Sequence, residues 1–363
     1  MITLYGRRIL CIAIGASLFW GCQDQFPSNP YPSGQNPGVN GKLVFNEVHD
    51  EGGGQYEPER VVAINMDGTG REEIGMGLIA GRPGAGRIVF ERNDTVFVAT
   101  SADGGWTTSM IYGCSSQANE KLTWGSTALS PDGRLITFST RFNDALQRTY
   151  LANADGTGTP TVLPVHIDGG ATPVFSRDSR KLAYYSNAGL QHGRTSLYVV
   201  NTDGSGQVKV GEFNLDPVDL YSSLDISPDG SRVVFETSDL GRSISVARTD
   251  GSGSPRVLAT SAAMPIWNYD GTKVIYTGMG SGLAEADVLM INADGSGTPR
   301  NLTNSSDRRE FYPQLSPDGK KVLYSVYLEG PEHRPAILEV RDIANPAVVA
   351  TASNFSYKAF WTR

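Results

Sequence analysis

The sequence predicts an all-β fold: a seven-bladed β-propeller of four-stranded blades, closed by the C-terminal strand pairing into the first blade. Three observations lead there. A β-hairpin unit recurs along the chain, a second turn motif recurs in phase with it, and the last strand resembles an inner strand that has no blade of its own.

The hairpin unit is clearest at Ser227-Pro228-Asp229-Gly230-Ser231-Arg232-Val233-Val234-Phe235. Proline presets φ at the first turn position, Asp tolerates the second, and Gly takes the left-handed position. The β-branched and aromatic run that follows suits a buried strand. The aromatics closing these strands are Phe45, Phe90, Phe138, Tyr184, Phe235, Tyr276 and Tyr324, spaced 41–51 residues apart. A basic residue stands three places earlier in six of the seven: Lys42, Arg87, Lys181, Arg232, Lys273 and Lys321. Leu135 is the exception. The turn recurs as Ser130-Pro131-Asp132-Gly133 and Ser316-Pro317-Asp318-Gly319. It is blurred at Ser176-Arg177-Asp178-Ser179 and Asn268-Tyr269-Asp270-Gly271.

The second motif, Asp-Gly-(Ser/Thr)-Gly, ends an apolar strand at Asp67–Gly70, Asp155–Gly158, Asp203–Gly206, Asp250–Gly253 and Asp294–Gly297. Asp103-Gly104-Gly105 is a partial copy, and the seventh repeat departs with Ile343-Ala344-Asn345-Pro346. Each repeat thus holds four strands, A to D, with tight turns between A and B and between C and D. Four short strands at this period are the pattern of a propeller blade. One blade cannot bury both of its faces; stacking in a ring does so. These Asp clusters carry no distal Glu, so hairpin turns explain them better than calcium loops.

Seven strand-B units are present, but the first lacks a strand A, because Pro32 to Gly38 is too rich in Pro and Gly. The chain ends in Ala359-Phe360-Trp361-Thr362, similar to Pro265-Ile266-Trp267-Asn268 in the sixth blade. The C-terminus is therefore expected to supply the missing strand. The inner strand of the second blade, near Leu78-Ile79-Ala80, is degenerate; without it the ring would be irregular, or six-bladed with an insertion.

The two motifs in phase resemble the TolB-like propeller repeat, a relative of the WD-type repeats, over residues 41–363. TolB carries an α/β domain ahead of its propeller, and none is expected within this sequence. The resemblance thus allows, but does not imply, an association with the Tol–Pal system.

Residues 1–21 are expected to be an export signal. Arg7 and Arg8 form its basic start, and the apolar run Ile9 to Trp20 is too short to span a bilayer. Gly21-Cys22 resembles a bacterial lipobox, although Phe19 stands where that family prefers Leu. The resemblance implies lipidation at Cys22 and, with Gln23 following, an outer-membrane lipoprotein facing the periplasm or the cell surface. Residues 22–40, rich in Pro, Gly, Ser and Asn, are expected to be a flexible tether, and 41–363 the propeller.

The formal charge is −7, from 31 basic and 38 acidic residues, and loss of Arg7 and Arg8 with the signal moves it to −9. This argues against nucleic acid as a partner. Of three cysteines, Cys11 lies in the signal and Cys22 is the lipid site. Cys114 is left alone, so no intrachain disulfide is expected.

The connections B–C and D–A share one face and are long and varied, which suits function. Candidate contacts there are Trp124 before the third blade, Asp216, Asp219 and Tyr221 before the fifth, and Arg308, Arg309, Glu310, Phe311 and Tyr312 before the seventh. His166, His192 and His333 lie on the same face, as does His49. Aromatics beside charges suit recognition of a protein or a glycan; Trp124, Tyr221 and Tyr312 equally suit the start of a strand A wedged between blades. Two separated histidine pairs do not make a metal site. No nucleophile elbow appears, and Ser205 and Ser252 sit in turns with nothing to activate them. The expectation is a monomeric, non-enzymatic binding propeller held to the membrane by its lipid, with no cofactor and an envelope protein or glycan as partner. The alternative comes from oligogalacturonate lyases, seven-bladed propellers of related repeat with a histidine-rich metal centre.

Overall fold

The computed structural model describes residues 42–47, 60–65, 69–102, 105–115, 119–123, 126–142, 146–163, 173–186, 194–214, 224–239, 241–280, 286–305, 308–327, 335–344, 348–353 and 355–361. All of its regular structure is β. The first unit holds β1 (Leu43–Glu47), β2 (Arg60–Ile64) and β3 (Glu72–Met76). The second holds β4 (Leu78–Ile79), β5 (Arg87–Arg92), β6 (Thr95–Ala102) and β7 (Gly105–Gly113). In the third, β8 (Glu120–Leu122) and β9 (Ala128–Leu129) both pair with β10 (Leu135–Phe142), followed by β11 (Leu146–Asn153) and β12 (Thr161–Leu163). Next come β13 (Val174–Phe175), β14 (Lys181–Ser186), β15 (Arg194–Asn201) and β16 (Val208–Asn214), then β17 (Leu224–Ile226), β18 (Arg232–Thr237), β19 (Ser243–Arg248) and β20 (Arg256–Thr260). The sixth unit is β21 (Ala262–Trp267), β22 (Lys273–Met279), β23 (Ala286–Asn292) and β24 (Arg300–Asn301). The seventh is β25 (Arg309–Leu315), β26 (Lys321–Tyr327), β27 (Pro335–Asp342) and β28 (Val348–Ser353). The last two share one sheet through a single parallel bridge, Ala286 to Arg309. The chain then returns to the first unit as β29 (Phe355–Trp361), antiparallel to β1, with Leu43 opposite Trp361 and Val44 opposite Phe360. The expected C-terminal closure is thus present.

The buried apolar side chains fall into seven clusters, each built from two consecutive units. The last joins the seventh to the first through Leu323, Val340, Phe45, Ala359 and Trp361. This explains the run Val233-Val234-Phe235. Alternate strand residues face opposite sides, so Val233 and Phe235 pack towards the fourth unit and Val234 towards the sixth. Every repeated aromatic is at most 3 % exposed, and each packs towards the unit before it.

Two polar positions of the repeat act between units. Where the basic residue recurs, Arg87 Nη1 donates to Gly133 O at 2.6 Å, Lys181 Nζ to Gly230 O at 3.1 Å and Arg232 Nη2 to Gly271 O at 2.9 Å, each reaching the turn of a following unit. Lys42 and Lys273 stay within their own units, on Glu72 and Asn292. In four units the residue just after the aromatic reaches forward to the next. Asn46 pairs with Gly77 O and Ile79 N, Glu91 accepts from the Thr127 hydroxyl, Glu236 accepts from Met264 N, and Thr277 donates to Glu310 O. These bonds compensate polar groups that the stacking buries. The Asn46 pair also holds the degenerate second unit: β4 is two residues long yet pairs with Glu91 and Phe90.

The turns form as the motif requires. In four copies the Ser hydroxyl donates to the Asp carboxylate and accepts the N–H five residues on, and Gly133, Gly230, Gly271 and Gly319 adopt φ of 68–71°. Ser179 takes that place in the blurred fourth copy at φ 59°. The Asp of the second motif is likewise engaged by its own turn: Asp203 accepts from Ser205 and Asp294 from Ser296.

Candidate functional site

The ring axis is crossed at its turn-side end. Arg82, between β4 and β5, reaches Asp225 on the inner strand β17 of the fifth unit, Nη1 to Oδ1 at 3.1 Å. Arg177, in the fourth unit's turn, donates to the carbonyls of Trp267, Asn268 and Tyr269 in the sixth unit and stacks on Tyr269 at 4.3 Å. Asp225 is buried and also accepts from Trp267 N at 2.8 Å.

The inner strands of the sixth and seventh units carry a different feature. Along β21 the register jumps from Ala263 to Ile266, and along β25 from Phe311 to Gln314. Both bulges contain a residue followed by proline, Met264-Pro265 and Tyr312-Pro313. Proline has no N–H to give to the ladder, so the strand bulges there. Met264 and Tyr312 take φ of 54° and 57°, a left-handed conformation that side-chain-bearing residues rarely adopt. Such strain persists where surrounding contacts enforce it and concentrates at functional positions. The bulges touch, Tyr312 N lying 3.3 Å from Met264 Sδ. Phe311 packs edge-on to Tyr327 at 5.3 Å and lies 6.5 Å from the Tyr312 ring. Met264, Phe311, Tyr312 and Tyr327 are all half-buried.

Charges surround this patch. Arg308 Nη1 pairs with Glu339 Oε1 at 2.7 Å, and Glu339 Oε2 accepts from the Tyr324 hydroxyl at 2.8 Å. Burial, with the Glu339 charge beside it, pushes the Tyr324 phenol up. Arg309 is half-buried, makes no salt bridge or side-chain hydrogen bond among the described residues, and leaves its buried Nε without an acceptor there. Glu310 is fully buried, neither carboxylate oxygen makes a well-formed hydrogen bond among the described residues, and the Thr303 and Ser305 hydroxyls beside it only partly offset the burial. Burial pushes its pKa up to about 7, and burial does the same for Glu91. An acid raised in the folded state keeps its proton between about pH 4.5 and 7, where the unfolded chain has lost it. Its contribution to stability is therefore full below the unfolded value and falls as pH rises to the folded one. The thermal midpoint is expected to be higher at pH 5.5 than at pH 8, and scanning calorimetry at the two pH values checks this. Below about pH 4 the turn carboxylates act oppositely, since bonds from Ser227 and Ser231 outweigh burial and hold Asp229 down at about 2.

Five sequence candidates, Arg308, Arg309, Glu310, Phe311 and Tyr312, come together here. Expected in a connection, Arg309, Phe311 and Tyr312 instead lie within β25, because that strand pairs with β26 from Arg309 onward. Tyr312 stands at the bulge, not at the strand's start. Cys22, Trp124, His166, His192, Asp216, Asp219, Tyr221, His333 and His49 lie outside the described residues. Met264 and Tyr327 were absent from the candidate set; the Xaa-Pro step shared by two inner strands was the signal that could have found Met264. Among the described residues no three His, Cys, Asp or Glu side chains gather as for a metal. Burial pushes the Cys114 thiol up to about 12, so it is not a thiolate at neutral pH.

These features define a β-propeller with one end of its axis bridged and a half-exposed aromatic patch on two inner strands. No protein-family profile and no curated protein matches the chain. Solved structures do. TolB from Acinetobacter baumannii aligns over 88 % of this chain and 82 % of its own at 18 % identity and TM-score 0.51. An oligogalacturonate lyase in complex with manganese aligns over 87 % and 98 % at 13 % identity and TM-score 0.54. A puromycin-hydrolyzing peptidase from Mycobacterium tuberculosis aligns over 86 % of this chain but only 54 % of its own, at 15 % identity and TM-score 0.56. At such identities the likeness shows a TolB-like propeller fold and carries no activity with it.

Proposed function

We propose that the chain is a non-enzymatic lipoprotein of the bacterial envelope. Its export signal spans 1–21, lipidated Cys22 and the tether 22–40 hold it to the membrane, and the propeller binds an envelope protein or glycan. The supporting observation is that strained bulges bring Met264 and Tyr312 together on two inner strands, beside Phe311 and Arg309. Half-exposed aromatics beside a charged, unpaired arginine are a common recognition surface. The test captures the lipidated protein from cross-linked, gently solubilised envelopes, beside an Arg309→Ala/Tyr312→Ala variant. A partner held by the wild type and lost by the still-folded variant is the expected result. Equal capture by both, or no capture from envelopes or on glycan panels, would remove the reading.

A second reading, a metal-dependent polysaccharide lyase, is favoured only by the fold shared with the manganese-bound lyase. Bound metal together with a rise in unsaturated-product absorbance on oligogalacturonate would replace the binding reading with it.

A further inference from the structure

Glu310 stands at the start of β25, between Arg309 and Phe311 of the candidate site, and is 0 % exposed. The two hydroxyls beside it belong to Thr303 and Ser305, and both are shared with Asp287. Thr303 Oγ1 donates to Asp287 Oδ1 at 3.1 Å and Ser305 Oγ to the same oxygen at 3.2 Å. A hydroxyl has one proton to give and lone pairs to spare. An ionised Glu310 would therefore have to draw these protons away from Asp287, so the two hydroxyls favour its charge less than burial opposes it, whereas a protonated Glu310 could itself donate to a hydroxyl lone pair. A buried carboxylate short of donors is costly.

The charges facing it do not remove that cost. Asp287 on β23 opposes ionisation; Arg341 on β27 favours it, but spends Nη1 on Thr303 O and Nε on the Tyr324 hydroxyl. Tyr324 on β26 and Glu339 on β27 are bonded to each other, and Glu339 takes Arg308. From β22, Thr277 approaches only the Glu310 carbonyl.

We propose that Glu310 is a proton switch on the candidate binding strand: protonated, it locks the first residues of β25 into the seam between the sixth and seventh units; ionised, it releases them. The consequence for a ligand rests on the binding reading above; the switch itself does not. Loss of the proton would loosen Arg309, Phe311 and Tyr312 together, so a ligand held at pH 6 would be released at alkaline pH.

The test is hydrogen exchange on the full chain at pH 6 and pH 8.5, corrected for intrinsic rates and followed in peptides spanning 308–315. With the folded carboxyl titrating at about 7 and the opened one near its ordinary value, the opening constant is expected to rise about tenfold between the two pH values. Glu310→Gln removes the titration and should leave exchange pH-independent. Glu310→Met is the second variant should the amide fail to fold. Wild-type exchange that is equal at both pH values, or a tenfold rise that survives in the variant, would overturn the proposal. No ligand enters this measurement, so a flat profile would refute the switch while leaving the binding reading to its capture experiment.

Discussion

Removal of Phe360 to Arg363 is expected to cost at least about 5 kcal/mol and to lower the melting temperature by about 10 °C or more. β29 is the inner strand of the first unit, and among the described residues no other strand pairs with that edge of β1. The deletion takes away Phe360 and Trp361, both buried. Truncating a buried aromatic costs about 3–5 kcal/mol by itself. It also unpairs Leu43 and Val44 and opens the cluster that Trp361 shares with Leu323 and Val340 of the seventh unit. The damage thus reaches both units that meet there. Domain stabilities are only about 5–15 kcal/mol, so the truncated chain should be near its unfolding transition at growth temperature. Melting followed by circular dichroism checks this, and a superimposable curve would refute closure by this strand.

Asp225→Ala should destabilise the fold by about 3 kcal/mol or more, the cost of breaking a buried charged network from one side. Three units depend on this carboxylate. It takes Arg82 from the second unit and Trp267 N from the sixth, while its own carbonyl accepts Trp267 Nε1 at 3.1 Å. Without it a buried N–H loses its acceptor and a guanidinium loses its counter-charge. Arg82→Met alone should cost less, because that side chain is 40 % exposed and can be rehydrated. The two changes together should cost less than their sum, which denaturant titration of the four proteins would reveal as coupling. Strict additivity would mean that the contact across the axis contributes nothing.

Much of the fold was legible from local chemistry. The tight turns write themselves in Ser-Pro-Asp-Gly and Asp-Gly-Ser-Gly, because few residues tolerate those backbone angles. The doubly buried strands show as continuous apolar runs such as Val233-Val234-Phe235. Even the closing strand could be read, since its Phe-Trp resembles the Ile-Trp of the sixth unit. The recurring basic residue was visible too, but its role was not: that Arg87 or Arg232 bonds to a neighbour's turn depends on how the units stack. The extent of β25 was misjudged for a related reason. Arg309-Glu310-Phe311-Tyr312 is charged and aromatic like a recognition loop, and only pairing with β26 makes it a strand.

The sequence by itself determined the repeat, its turns, the strand faces and the closure, because each rests on residues near one another in the chain or on a period that can be counted. Tertiary structure alone decided which side chains meet across the ring. Arg82 and Asp225 are 143 residues apart, and Met264 and Tyr312 are 48 apart; no local propensity links either pair. The same holds for Glu310. An isolated glutamate gives no sign that its carboxyl will be sealed from water, because that depends on how the sixth and seventh units pack around β25.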